Sequence, residues 1–189
     1  MIDTAERDPG FDVDTYFELV GRGLLTEDDH VELLEGLVVA SPPQGPLHAS
    51  VTMDFFVALE RAVGGRAAVR IQMPLVVGPR SVPEPDVALV PGTSGDYRRR
   101  HPDQALLVVE ISDSSLPQDR LTKSRIYARA GIPEYWIVNL RDRCVEVHSK
   151  PDTERRLFAA VRTVRPGDLI DLVTLAGARV AVSELLQDY

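Results

Sequence analysis

Cysteine, basic residues and long apolar runs are all scarce in this chain, and each shortage excludes something. Cys144 is the single cysteine, so an internal disulfide and any multi-cysteine zinc site are ruled out. No segment approaches the roughly 20 consecutive apolar residues that span a bilayer. The acidic start Met1-Ile2-Asp3-Thr4-Ala5-Glu6 lacks the basic and apolar regions of a signal peptide. A cytoplasmic location without a membrane partner is therefore expected. Lys and Arg number 21 against 29 Asp and Glu, a net charge of -8. A protein that coats duplex nucleic acid needs the opposite balance, because phosphates are neutralised by Lys and Arg. Any nucleic-acid contact must be local. Neither Gly21-Arg22-Gly23 nor Gly64-Gly65 has the spacing of a phosphate-cradling loop.

What is present is ordinary for a globular protein: 189 residues, 44% of them hydrophobic and 26% charged, enough for one domain spanning 1–189. A short helix is expected over residues 12 to 20, with acids in its first turn, ending at Gly21 and Gly23. Val31 to Ala40 reads as two strands meeting at Gly36, closed by the breaker Pro42-Pro43. Leu47, Val51, Phe55 and Leu59 recur every fourth residue, which predicts an amphipathic helix from Pro46 to Val63 stopped by Gly64-Gly65. Ala67 to Met73 and Leu75 to Val77 read as one long strand bent at Pro74, followed by a short strand after Asp86. A third helix is expected from about Pro117 to Ala130, stopped by Gly131 and Pro133, and then the apolar strand Tyr135-Trp136-Ile137-Val138. Strand, helix and strand in that order predict a parallel crossover. Cys144 to His148 and Leu157 to Val161 read as antiparallel additions, the second a possible homodimer edge. The tail from Leu169 to Leu186 reads as short strands around Ala176-Gly177-Ala178 and a last helical turn. The sum is an α/β fold: a central mixed sheet flanked by helices.

Glu110 interrupts an otherwise apolar run, Ala105-Leu106-Leu107-Val108-Val109-Glu110-Ile111. An unpaired carboxylate in a buried strand costs several kcal/mol, on the order of what a lost buried pair costs, so a cation, a metal or a wet cleft must face it. Asp86 opens another apolar run, Asp86-Val87-Ala88-Leu89-Val90, after the stiff Pro83-Glu84-Pro85. Side chains alternate along a strand, so Glu110 and Ser112 point together while Leu107, Val109 and Ile111 point the other way. In the following helix Asp119, Lys123 and Tyr127 are spaced four apart and form one stripe that can face Glu110. Two acids and a lysine are what metal-assisted phosphodiester hydrolysis needs. On the residue pattern alone, Asp86 after a proline also suits a turn, and Glu110 an ion pair at a strand end.

These residues resemble a known pattern. Pro85-Asp86 followed by Glu110-Ile111-Ser112 is similar to the PD-(D/E)XK nuclease superfamily, and the wider context resembles its bacterial branch of restriction endonucleases. The stretches that carry the likeness are Glu32-Leu33-Leu34-Glu35-Gly36-Leu37-Val38, Ser41-Pro42-Pro43 with His48, Gln72-Met73-Pro74-Leu75, Pro83 to Ala88, Val109 to Ser112, Asp119 with Lys123 and Tyr127, and Gly131 to Val138. The superfamily's lysine position falls on Ser112, and Lys123 on the next helix matches the place to which this branch moves it. The resemblance implies a restriction-endonuclease-like fold and a Mg²⁺- or Mn²⁺-dependent endonuclease acting on DNA through metal-activated water. It implies Asp86 and Glu110 as metal ligands, Lys123 as their electrostatic partner and Glu35 as an additional acid near the metal. His48 and Gln72 become polar contributors to substrate binding. Arg98, Arg99 and Arg100, in the long interval between the two acids, are expected to meet the substrate backbone. The alternative is a catalytically silent module of the same fold that binds protein or nucleic acid.

Overall fold

The computed structural model describes residues 10–41 and 43–186; Pro42 and the acidic start Met1 to Glu6 lie outside the described residues. Helix α1 (Val13–Gly21) begins where the Asp12 carboxylate accepts the Thr15 N–H at 2.8 Å, the usual way of satisfying a free helix donor. Strands β1 (Val31–Leu34) and β2 (Leu37–Ala40) form an antiparallel hairpin. Its two turn residues, Glu35 and Gly36, both have positive φ, 51° and 88°, the conformation that matches strand twist in a two-residue turn. Glycine is required at the second position, because a Cβ on Gly36 would lie 2.1 Å from the Arg80 guanidinium.

Helix α2 (Pro46–Val63) opens on a proline in its first turn and stops at Gly64, which takes a left-handed φ of 56°. Val51, Phe55 and Leu59 are buried as the four-residue spacing predicts, whereas Leu47 at the first turn is exposed. Six strands then build the main sheet: β3 (Ala68–Ile71), β4 (Val87–Val90), β5 (Leu107–Ser112), β6 (Glu134–Asn139), β7 (Cys144–Asp152) and β8 (Leu157–Val164). They lie in the order β3-β4-β5-β6-β7-β8. Only the β5–β6 pair is parallel, Glu110 opposite Ile137, and the helical segment between them supplies the crossover. That segment runs from α3 (Leu116–Gln118) through a π-helical turn (Asp119–Lys123) into α4 (Ser124–Arg129). A small two-stranded sheet, β9 (Leu169–Asp171) with β10 (Arg179–Ala181), and helix α5 (Val182–Leu185) follow.

The strand expected from Ala67 through Val77 is shorter than its sequence. It ends at Ile71 because Gln72 turns into the left-handed region, φ 48°, and gives its N–H to the Pro85 and Asp86 carbonyls at 3.1 and 3.2 Å. Leu75 and Val77 bond instead to Pro83 and Ser81. Proline at position 74 cannot donate to a ladder, and the chain leaves the sheet just before it.

Each face of the sheet has its own core. One layer joins Phe55 and Leu59 of α2 to Leu107, Val109 and Ile111 of β5, Trp136 of β6 and the C-terminal Ile170, Val180 and Leu185. The other packs Ile126 and Tyr127 of α4 against Val108, Tyr135, Ile137 and Phe158. This is an α/β restriction-endonuclease-like fold. Among the described residues no helix is long and apolar enough to cross a membrane.

Candidate active site

β5 is buried along its whole length, so its alternation decides which side chains meet apolar neighbours and which must find polar ones. Glu110 and Ser112 turn toward the crossover helix, and the stripe on that helix meets them in order. Tyr127 donates to Glu110 Oε1 at 2.6 Å, Lys123 Nζ donates to the same oxygen at 3.0 Å, and Ser112 donates to Asp119 Oδ2 at 2.5 Å. The π turn lies between Asp119 and Lys123; its widened ring leaves the Asp119 carbonyl to accept both the Ser124 N–H and the Tyr135 hydroxyl, the latter at 3.2 Å. Ser115 adds a second hydroxyl to Asp119 at 2.6 Å.

Lys123 is only 7% exposed and has a second acid, Glu32 of β1, at 3.1 Å. Glu32 Oε1 also accepts the Glu84 N–H at 2.6 Å. Lys123 therefore ties the β1–β2 hairpin to β5 through two carboxylates. Burial works to lower the Lys123 pKa, but the charges of Glu110 and Glu32 more than reverse it and hold the ammonium far above its ordinary range. Burial pushes the Glu110 carboxyl well up, with Lys123 opposing. It also keeps the Tyr127 hydroxyl protonated, so Tyr127 remains a donor. Glu84 is raised as well, by burial and by the charge of Glu32.

Asp86 is held from four directions. Its Oδ2 accepts the Ile111 N–H at 2.7 Å and lies 3.3 Å from His48 Nε2; its Oδ1 accepts from Gln44 at 3.2 Å and Gln72 at 3.4 Å. The left-handed turn at Gln72 is what brings its amide there, a backbone cost met at a polar centre rather than in the sheet. Burial draws the His48 pKa down, but the Asp86 carboxylate outweighs it and the imidazole ends raised. Because Ile111 follows Glu110, the Asp86 carboxylate sits against the backbone next to the second acid. Asp86, Glu110, Lys123, Glu32, Glu84, Asp119, His48 and Gln72 all line one cleft of about 700 Å³.

The expected residues do not all gather there. Glu35 is placed outside the cleft: it sits in the hairpin turn, one residue past the alternating strand, and makes a two-point ion pair with Arg125. Arg125 lowers the Glu35 carboxyl as an exposed partner would. Glu32, which the sequence reading passed over, holds the place expected for Glu35. The signal was available, since Glu32 is an acid inside an apolar strand, the same feature that singles out Glu110. Arg98, Arg99 and Arg100 are exposed on the loop after β4 and line none of the cleft.

The donor set is hard oxygen. Among the described residues no three His, Cys, Asp or Glu side chains converge into a ready-made metal cage. Mg²⁺ does not require one; it is commonly held by one or two carboxylates and several waters. Asp86 and Glu110 fit that pattern, and they do not fit a nitrogen and sulfur site of the zinc kind.

An acid just before β4 and another on the adjacent β5, a buried lysine from the crossover helix and a mixed sheet with helices packed on both faces define a protein of the PD-(D/E)XK superfamily with a nuclease-like fold. The sequence matches the family model Uma2, "Putative restriction endonuclease", over residues 13–183, and the chain belongs to that family. Its structure is similar to the crystal structure of a putative nuclease belonging to DUF820 from Anabaena variabilis ATCC 29413, with a TM-score of 0.72 and 16% sequence identity. The likeness covers 93% of this chain and 97% of that one, and at that identity it shows the fold. No curated protein matches the chain.

Proposed function

We propose that the chain is a Mg²⁺- or Mn²⁺-dependent phosphodiesterase that cuts DNA, with Asp86 and Glu110 holding the cation. The supporting observation is that Lys123 Nζ lies 3.0 Å from Glu110 in a cleft that Asp86 also lines. A divalent cation bound there would polarise the scissile phosphate and lower the pKa of a water to the range of a useful nucleophile. The chain's own residues do the rest. Lys123 presents an ammonium that stays charged and can donate to a phosphate oxygen as negative charge develops on it. Glu32 and Glu110 hold that ammonium in place, and Tyr127 fixes the Glu110 carboxylate by donating to Oε1. The Ile111 N–H and the Gln44 and Gln72 amides orient Asp86, and His48 Nε2 stands 3.3 Å from its Oδ2. Glu35 has no part in this reading.

The test pairs cleavage with metal binding. Glu110→Gln and Asp86→Asn should each lower Mn²⁺-dependent nicking of supercoiled plasmid by on the order of 10²-fold or more, since even residues behind the metal ligands cost 10 to 100-fold. Both should weaken Mn²⁺ binding in a calorimetric titration. Cleavage at the parental rate by either variant would end the assignment. Parental protein that shows no Glu110-dependent Mn²⁺ binding would identify the silent interaction module instead.

A further inference from the structure

The cleft has an electrostatic difficulty. Its walls carry Glu32, Glu84, Asp86, Glu110, Asp113 and Asp119 against the single ammonium of Lys123. A polyanion is repelled from such a surface until a cation binds, and like charges brought together in a cleft cost free energy whatever else is gained. A polynucleotide substrate would gain from a further contact surface of opposite charge outside the cleft.

A second, separate cavity of about 380 Å³ supplies the opposite surface. It is lined by Phe17, Val76, Arg99, Arg100, His101 and Asp103. Phe17 and His101 are already stacked, with centroids 5.5 Å apart and planes 11° from parallel. Burial and the neighbouring charge of Arg70 lower the His101 pKa, which keeps its ring a neutral aromatic surface. Arg70 itself lies over the Tyr97 ring, 5.6 Å from its centroid. It stands on β3 two residues before Gln72, whose amide reaches Asp86 in the acidic cleft.

The geometry points to this second cavity as a site for an unpaired nucleobase of a single-stranded polynucleotide, with Arg99 and Arg100 taking the flanking phosphates. The inference rests on the phosphodiesterase reading for its biological use and deepens it by naming the substrate class. An aromatic platform with guanidinium groups at its edge is the arrangement that binds single strands without sequence readout, because every base has a π face. A paired base keeps its faces inside the helix stack and cannot use the platform. Asp103 would repel a phosphate, yet it can accept a hydrogen bond from a base amino group, so it favours a base rather than a phosphate in the cavity.

Fluorescence anisotropy in EDTA, where no cleavage occurs, tests this apart from catalysis. The probes are a labelled single-stranded 12-mer, as DNA and as RNA, and a blunt hairpin duplex of equal length. The parental protein should bind the single strand more tightly than the duplex. His101→Ala should weaken single-strand binding roughly 5- to 150-fold, the size of one lost base stack, and His101→Tyr should restore it. Arg99→Ala with Arg100→Ala should reduce the salt slope by about 1.4, as two lost contacts to a single strand do. Arg179→Ala, the loss of a single charge on β10, should bind as the parent does. Equal affinity for duplex and single strand, no binding at low salt, or an unchanged His101→Ala would each overturn the proposal. A protein that binds single strands as described but never cleaves with Mn²⁺ would instead overturn the phosphodiesterase reading alone.

Discussion

The two faces of β5 use the same strand for opposite purposes. Leu107, Val109 and Ile111 enter the layer shared with α2 and Trp136, where non-directional burial holds them and a close substitute costs little. Glu110 and Ser112, one residue out of phase, enter a layer in which Tyr127, Lys123 and Asp119 must each be met by a specific partner. The first face asks only for apolar fit; the second is intolerant because its charges are buried and each has a specific partner. Buried ion clusters of this kind are weak sources of stability, and they persist where chemistry needs them.

The widest gap between the faces should appear at Lys123. Lys123→Met keeps the apolar stem but leaves Glu110 and Glu32 without their cation, and the expected loss is about 3–5 kcal/mol, read as a lower urea midpoint. Adding Glu32→Gln should return part of it, since one uncompensated charge is removed. A single variant as stable as its parent would show that the lysine is not holding the two acids. On the other face, Ile111→Val should cost about 1 kcal/mol while leaving Mn²⁺ binding unchanged, because only the backbone N–H of Ile111 touches Asp86. Altered metal binding in that variant would erase the contrast between the faces. The smallest effect is expected at Glu35. Glu35→Gln should shift stability by about 0.5 kcal/mol or less and leave plasmid nicking intact, since its partner Arg125 is solvent-accessible. A large loss of nicking would return Glu35 to the site.

Much of this arrangement was legible along the chain. Four-residue spacing in Pro46 to Val63 marked the buried stripe of α2, and an acid inside an apolar run marked Glu110. The stripe Asp119, Lys123, Tyr127 also met Glu110 and Ser112 as its spacing implied. Other placements depended on how the elements pack. Gln72, a polar contributor by resemblance, was expected inside a longer strand, yet its left-handed turn ends β3 and delivers its amide to Asp86. Glu35 matched a motif, but a hairpin turn carried it to Arg125 and gave its expected place to Glu32 three residues earlier. Arg98, Arg99 and Arg100, expected to meet the substrate backbone, are close to Asp86 in sequence but line none of its cleft.

Local periodicity and breakers are properties of neighbouring residues, so the sequence alone determined the identity and order of helices and strands and the side of β5 that carries Glu110. Convergence is not local. Glu32 and Lys123 are brought within 3.1 Å by the packing of a hairpin, a central strand and a crossover helix, and hydrogen bonds between chain-distant groups form only once hydrophobic layers have set those elements at a fixed separation. Which acids surround the lysine, and which cavity the arginines line, was therefore decided by the tertiary structure.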